Sequence, residues 1–120
     1  MSMNISHSYR RTAPESIEEL THALGKLPVR IERAILFGSR ARGDHFEDSD
    51  WDVILVSDDF EGVFFPKRIS RLLLAIPVSG VEMFCYTPDE FEKGRDGFGI
   101  IGVALREGIN LIIPEKEGEL

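Results

Sequence analysis

The strongest constraint on the fold is a short apolar run that ends at a glycine and is followed by two alternating aspartates. Residues 34–37 (Ala-Ile-Leu-Phe) are all apolar, and Gly38 and Ser39 come directly after them. Such a run predicts a buried strand that ends in a glycine turn. Asp50 follows Ser39 after ten intervening residues, and Asp52 lies two positions further on. A tight turn is therefore predicted just ahead of a pair of carboxylates.

The residues of this turn favour the binding of a phosphate group. Gly38 permits a positive φ and a close approach of the backbone, so that successive N–H groups can point at an anion. Ser39 adds a hydroxyl donor. Arg40 and Arg42 bring positive charge into the turn, where they either meet phosphate oxygens or pair with acidic residues of the following loop. The turn is thus interpreted as a nucleoside triphosphate site.

The two aspartates predict a magnesium site. On a strand, side chains at i and i+2 share one face, so Asp50 and Asp52 point the same way while Trp51 points towards the core. Two carboxylates placed together repel each other unless a cation lies between them. Mg²⁺ accepts one or two carboxylates together with substrate phosphate oxygens.

The combined pattern resembles the DNA polymerase β-like nucleotidyltransferase superfamily, and most closely its minimal nucleotidyltransferase (MNT) members. The hallmark of the family is a Gly-Ser turn followed by Asp-x-Asp. The matching residues are Gly38, Ser39, Asp50 and Asp52, together with Ala41, Arg42, Gly43 and Ser49. The resemblance extends from about residue 15 to about residue 113, and its specific part is the turn and the two aspartates.

The resemblance implies an enzyme that transfers a nucleoside monophosphate, AMP from ATP, to an acceptor hydroxyl with the help of one or two Mg²⁺ ions. It also implies a third carboxylate on a neighbouring strand, which we assign to Glu82. The family usually has an aspartate there, and glutamate is one methylene longer. Glu82 would complete the metal site or accept the proton of the acceptor; the alternative is an exposed strand residue without a role in catalysis.

The resemblance also bears on partners. Larger relatives carry a second domain that recognises the acceptor, and 120 residues leave no room for one. The family therefore implies a homo-oligomer or a separate partner, which for MNT proteins is often a helical HEPN-type protein. An alternative function follows: an antitoxin or regulatory module that binds this partner and a nucleotide with little or no catalysis.

Composition narrows the class of protein further. The net charge of −7 opposes broad attraction to nucleic-acid backbones. No apolar run reaches the roughly 20 residues of a membrane span, and the polar first residues lack a signal-peptide pattern, so a cytoplasmic protein is expected. Cys85 is the single cysteine, which excludes an internal disulfide and fits a small buried side chain.

The order of elements predicts a single α/β (α+β) domain at residues 14–113, with an N-terminal segment at 1–13 and a charged tail at 114–120. Periodicity and capping signals predict a small mixed sheet with helices packed on one face and the other face open to substrate. The predicted helices span residues 14–26, 66–76, 88–93 and 98–107, and the strands residues 31–37, 51–56, 79–86 and 109–113.

Overall fold

The computed structural model describes residues 11–114, so the first ten residues of the N-terminal segment and all but one of the charged tail lie outside the described part. The helices are α1 (Ile17–Leu24), α2 (Ser39–Arg42), α3 (Phe65–Ala75), α4 (Pro88–Gly94) and α5 (Ile100–Glu107). The strands are β1 (Arg33–Phe37), β2 (Trp51–Val56), β3 (Val81–Tyr86) and β4 (Ile109–Leu111). Between residues 11 and 114, no helix is long and apolar enough to cross a membrane.

The four strands form one mixed sheet in the order β3-β2-β1-β4. Strand β1 pairs antiparallel with both β2 and β4, whereas β2 and β3 are parallel and are connected through α3. A parallel pair needs such a crossover connection, because a tight hairpin joins only antiparallel strands. The predicted mixed α/β architecture is confirmed.

Helices pack on both faces of the sheet, which corrects the prediction that one face would stay open. Alternate residues of β2 belong to two separate hydrophobic cores. Val53 and Leu55 pack against α1 and α3, whereas Ile54 packs with Phe91 of α4 and Ile101 of α5. A central strand that is buried on both faces has a continuous run of apolar residues, as the sequences of β1 and β2 show. On the second face, Asp52 is half-buried and Glu82 is exposed.

The predicted bounds of most elements are close to those observed. Helix α1 starts later than predicted, because the Ser16 side chain accepts a hydrogen bond from the Glu19 amide and caps the helix there. The capping box of Thr87 and Glu90 at the start of α4 is confirmed. The single turn α2 was not predicted, since four residues are too few to show a periodic pattern.

A buried arginine ties the second half of the fold together. Arg68 of α3 is only 6% exposed and donates hydrogen bonds to the carbonyl oxygens of Val63 and Cys85. Its two terminal nitrogens bind both carboxylate oxygens of Glu90, at 2.6 and 3.1 Å. The same Glu90 carboxylate accepts the Thr87 amide in the capping box. One ion pair thus joins α3, the end of β3 and the start of α4.

We expect Glu90→Gln to lower the free energy of unfolding by about 1–2 kcal/mol at neutral pH, because it leaves the Arg68 charge buried without a counter-ion. Glutamine still accepts the Thr87 amide, so the capping box survives and the ion pair is tested alone. Glu92→Gln is the matched control, because its pair with Arg95 is exposed and should contribute less than about 0.5 kcal/mol.

The pH dependence provides a second check on the same pair. The hydrogen bonds from Arg68 lower the pKa of Glu90 in the folded protein. The stabilisation is therefore fully present above the unfolded pKa of about 4.3 and is lost as the pH falls through the lower folded pKa. Urea unfolding of both variants between neutral and acid pH measures this. Equal stability of Glu90→Gln and Glu92→Gln at neutral pH would contradict the role given to the ion pair.

Candidate functional site

The turn after β1 is built around a glycine that touches an aspartate. Gly38 has φ of +79°, a conformation that side-chain-bearing residues rarely adopt. A Cβ atom at this position would lie 2.5 Å from Oδ2 of Asp52. The backbone therefore requires glycine at position 38, and a Cβ atom there would also displace the Asp52 carboxylate.

The turn continues into the single helical turn α2, which ends at Gly43 with φ of +85°. The first amides of a helix have no partner within it, so those of Ser39 and Arg40 remain available for an acceptor. These amides follow directly on the contact between Gly38 and Asp52. The turn thus brings backbone N–H donors close to a carboxylate, as a site for a metal-bound phosphate requires.

Strand pairing brings the carboxylates of two strands together. In the register of the sheet, Phe37 of β1 lies opposite Asp52 of β2, and Asp52 lies opposite Glu82 of β3. Paired residues on neighbouring strands have their side chains on the same face, about 5 Å apart. Asp50 precedes β2 and is exposed at the same end of the sheet. The three carboxylates predicted from sequence therefore lie at one end of the sheet.

The electrostatics of this cluster show an excess of negative charge. The pKa of Asp52 is raised to about 6, first by burial, then by a hydrogen bond with Glu82 and by the charges of Glu82 and Asp50. The positive charge of Arg42 acts in the opposite direction. Two carboxylates in contact in this way provide oxygen ligands of the kind that a divalent cation binds.

The carboxylates do not form a closed cage. Among residues 11–114, no three side chains of His, Cys, Asp or Glu converge closely enough to hold a metal ion by themselves. Asp52 and Glu82 are in contact, whereas Asp50 lies in the solvent-exposed approach to β2. This open arrangement suits Mg²⁺, which is commonly held by one or two carboxylates with substrate oxygens and water as its other ligands.

The two arginines of the turn have different surroundings. Arg40 donates to the carbonyl oxygens of Glu47 and Ser49 at 2.9–3.2 Å, and its guanidinium lies 4.4 Å from the centre of the Trp51 ring. Trp51 is buried and donates its indole N–H to the Pro14 carbonyl. These contacts hold the loop between α2 and β2 in place, so Arg40 braces the loop that leads to the aspartates.

Arg42 is the arginine with charged partners at the surface. Its guanidinium pairs with Asp44 at 3.1 Å and with Glu107 of α5 at 3.0 Å, and its side chain is 44% exposed. Sequence reasoning missed Glu107, because it lies 65 residues from Arg42 and carries no local signal. The positive charge of Arg42 also acts to lower the pKa of Asp52, against the effects of burial and of Glu82.

The match to a known family agrees with this geometry. The profile of the nucleotidyltransferase domain family matches residues 17–109, which is most of the chain. The chain therefore belongs to the nucleotidyltransferase domain family, and the resemblance noted from the Gly-Ser turn and the two aspartates is confirmed.

Proteins similar to the chain include a relative by sequence and a solved structure. A Methanocaldococcus jannaschii protein named "Putative protein adenylyltransferase" is 49% identical over 62 residues, which cover 50% of this chain and 60% of that relative. The chain thus matches only about three fifths of the relative's length. The crystal structure of a "putative nucleotidyltransferase" from Sulfolobus solfataricus has a TM-score of 0.50 and 22% identity, covering 78% of this chain and 71% of the other. This second likeness supports the fold alone.

We expect Gly38→Ala to destabilise the fold more than Gly43→Ala does. Both glycines have a positive φ, but Gly43 is left-handed helical, where alanine costs about 1 kcal/mol, whereas Gly38 has ψ of −158°, a region that is essentially limited to glycine. A Cβ at residue 43 meets nothing within 4 Å, whereas one at residue 38 collides with Asp52. The more strained backbone at Gly38 and the displacement of the Asp52 carboxylate should together add about 1–3 kcal/mol, measured by urea unfolding. Equal losses in the two variants would contradict the contact between Gly38 and Asp52.

Proposed function

We propose that the chain transfers a nucleoside monophosphate, AMP from ATP, to an acceptor hydroxyl and releases pyrophosphate. The observation that carries the proposal is the packing of Gly38 against Asp52, with Asp52 paired to Glu82 on the next strand. The contact brings the turn, whose first amides would bind phosphate oxygens, next to carboxylates that would bind a cation. Family membership supports nucleotidyl transfer as the class of reaction.

The carboxylates and the turn would have different roles in the reaction. Asp50 and Asp52 would hold Mg²⁺, which would neutralise the negative charge that develops on the phosphates. Gly38 and Ser39 would hold the terminal phosphates through the first amides of α2, with Arg42 adding positive charge nearby. Glu82 would either complete the metal site or take the proton of the acceptor.

The reaction balances without any further reactant. The acceptor oxygen attacks the α-phosphorus, the bond from that phosphorus to the pyrophosphate oxygen breaks, and the hydroxyl proton passes to a carboxylate or to water. Positioning and electrostatic stabilisation account for most of the catalysis in phosphoryl transfer. A site of backbone amides and carboxylates therefore meets its main requirements.

We propose a protein as the acceptor, and the support is the name of the Methanocaldococcus jannaschii relative. A hydroxyl side chain of a helical HEPN-type partner, most directly a tyrosine, would be the nucleophile. Several large apolar side chains face solvent and would suit such a partner, among them Phe64 (69% exposed), Leu74 (83%) and Phe98 (99%).

These exposed side chains also favour a second candidate function. The chain would then act by binding its helical partner, as an antitoxin or regulatory module, while holding a nucleotide with little turnover. The longer Glu82 in place of the family's usual aspartate is consistent with a weakened catalytic site. The two candidates differ in whether the partner becomes modified.

We expect Asp50→Asn, Asp52→Asn and Glu82→Gln to lower the rate of nucleotidyl transfer, the aspartate variants by at least about a hundredfold, because they remove metal ligands. Asp48→Asn is the matched control, since it removes one exposed carboxylate of the same loop and should keep the wild-type rate. Calorimetry of ATP with and without Mg²⁺ should show metal-dependent binding that is weakened in the two aspartate variants. Wild-type rates and affinities in both aspartate variants would contradict the metal-site assignment.

Intact-mass spectrometry of the partner protein tests the identity of the acceptor. We expect the helical partner to gain one or more AMP units when it is incubated with this protein, ATP and Mg²⁺, as measured by intact-mass spectrometry, and to gain none with Asp52→Asn. The binding module would be favoured instead if the partner binds tightly but never gains mass, and if Asp52→Asn inhibits the partner's activity as well as the wild type does.

A further inference from the structure

A groove lies beside β3 and opens next to the carboxylates. It is lined by Ile69 and Leu73 of α3, by Phe84 of β3, and by the acidic residues Asp50 and Glu82. Its volume of about 400 Å³ falls in the range of about 300–1,000 Å³ that is common for ligand pockets. An apolar wall and two carboxylates thus share one opening.

The groove lies on the side of the carboxylates that is opposite the phosphate turn. Gly38 packs against Asp52 from the β1 side, and Glu82 of β3 neighbours Asp52 on the other side. In the proposed reaction the terminal phosphates lie at the turn, and phosphoryl transfer places the attacking and leaving oxygens roughly in line. An acceptor then approaches from the β3 side, where the groove lies.

The outer edge of β3 does not favour the addition of a further strand. Just before β3 the Ser79 amide donates to the Thr12 carbonyl, and near its end the Cys85 carbonyl accepts a hydrogen bond from Arg68. Met83, which lies between these two positions, is only 2% exposed. The groove therefore offers side chains rather than backbone groups to an occupant.

The charge of the groove favours a basic occupant over a second copy of the chain. Asp50 and Glu82 are its two charged lining residues, and both are acidic. A symmetric pair of copies would bring these carboxylates close to the same carboxylates of the other copy, which is unfavourable. Three carboxylates and a triphosphate together carry more charge than two Mg²⁺ ions, so the surroundings stay negative in the loaded site. Acidic residues beside the acceptor are therefore disfavoured.

The apolar wall distinguishes between hydroxyl side chains. Tyrosine combines an aromatic ring with a hydroxyl group at its tip, so the ring can pack on Leu73 and Phe84 while the hydroxyl reaches Glu82. Serine has no apolar body that would contact the wall. The groove thus favours tyrosine as the acceptor.

We propose that the groove holds the acceptor segment of a protein substrate, a tyrosine with a basic and no acidic neighbour. The tyrosine ring packs against Leu73 and Phe84, its hydroxyl lies at Glu82, and the basic neighbour lies at Asp50. The tyrosine oxygen bonds to the α-phosphorus as pyrophosphate leaves, and its proton passes to Glu82 or to water. Ile69 and Leu73 determine acceptor specificity. The transfer step rests on the proposed function, whereas binding of the segment is measured without any reaction.

Three capped peptides probe the groove of the full chain by NMR in the absence of ATP. They are acetyl-Leu-Tyr-Arg-amide, the same peptide with glutamate in place of arginine, and the same peptide with serine in place of tyrosine. The first should shift the methyl signals of Ile69 and Leu73. It should bind at least about fivefold more tightly than the other two, because they lose charge complementarity or the buried ring.

A pair of neighbouring leucines provides the matched variants. Leu73→Ser should weaken binding of the arginine peptide about fivefold or more, because an apolar contact is lost. Leu74→Ser is the control and should keep the wild-type affinity, since Leu74 follows in the same helix, is 83% exposed and does not line the groove. With ATP and Mg²⁺, Leu73→Ser should raise the KM for the peptide more than it lowers kcat.

The outcomes separate the groove from the reaction. The absence of shifts at Ile69 and Leu73 with millimolar peptide, or equal affinities for the arginine and glutamate peptides, would overturn the proposal. A mass in light scattering that doubles in the wild type but not in Leu73→Ser would overturn it by assigning the groove to a second copy. Peptide that binds at Leu73 but gains no AMP would support the docking and count against the transfer. AMP gain with an unchanged KM in Leu73→Ser would support the transfer and reject the groove.

Discussion

The site depends on the alignment of three neighbouring strands at one end of the sheet. The register places Phe37 of β1 opposite Asp52 of β2, and Asp52 opposite Glu82 of β3. Gly38 follows directly after the end of β1. A shift of one residue in either pairing would turn a carboxylate to the opposite face. The lack of a side chain at Gly38 then lets the turn pack directly on Asp52, so register and turn together define the geometry of the cluster.

The apolar cores are what hold this register. Alternate residues of β2 pack against helices on both faces, so any slip would carry apolar side chains away from both cores. The buried Arg68 adds a directional constraint, because its bidentate pair with Glu90 and its bond to the Cys85 carbonyl hold α3, β3 and α4 in one arrangement. The position of Glu82 therefore depends on contacts far from the carboxylates.

The charges around the site are divided between structure and function. Arg40 stabilises the loop by donating to backbone carbonyl groups and by lying against the Trp51 ring. Arg42 pairs with surface carboxylates, and its charge acts to lower the pKa of Asp52. Both arginines thus already have partners, and the proposed triphosphate site stays rich in negative charge in a chain whose net charge is −7.

Local signals were sufficient for the family and for the order of the elements except α2, and they supplied most of the proposed site residues. Gly38, Ser39, Asp50 and Asp52 stand in one short stretch, and capping residues and apolar periodicity mark helices and strands within a few positions, because these features depend on neighbours in the chain. Long-range contacts were decided only by the tertiary structure: the packing of helices on both faces, the pairing of Asp52 with Glu82, the contact of Gly38 with Asp52, and the separate surroundings of Arg40 and Arg42. Residues such as Arg42 and Glu107 meet across 65 positions, and no local pattern encodes such a contact, since it results from the packing of the whole domain.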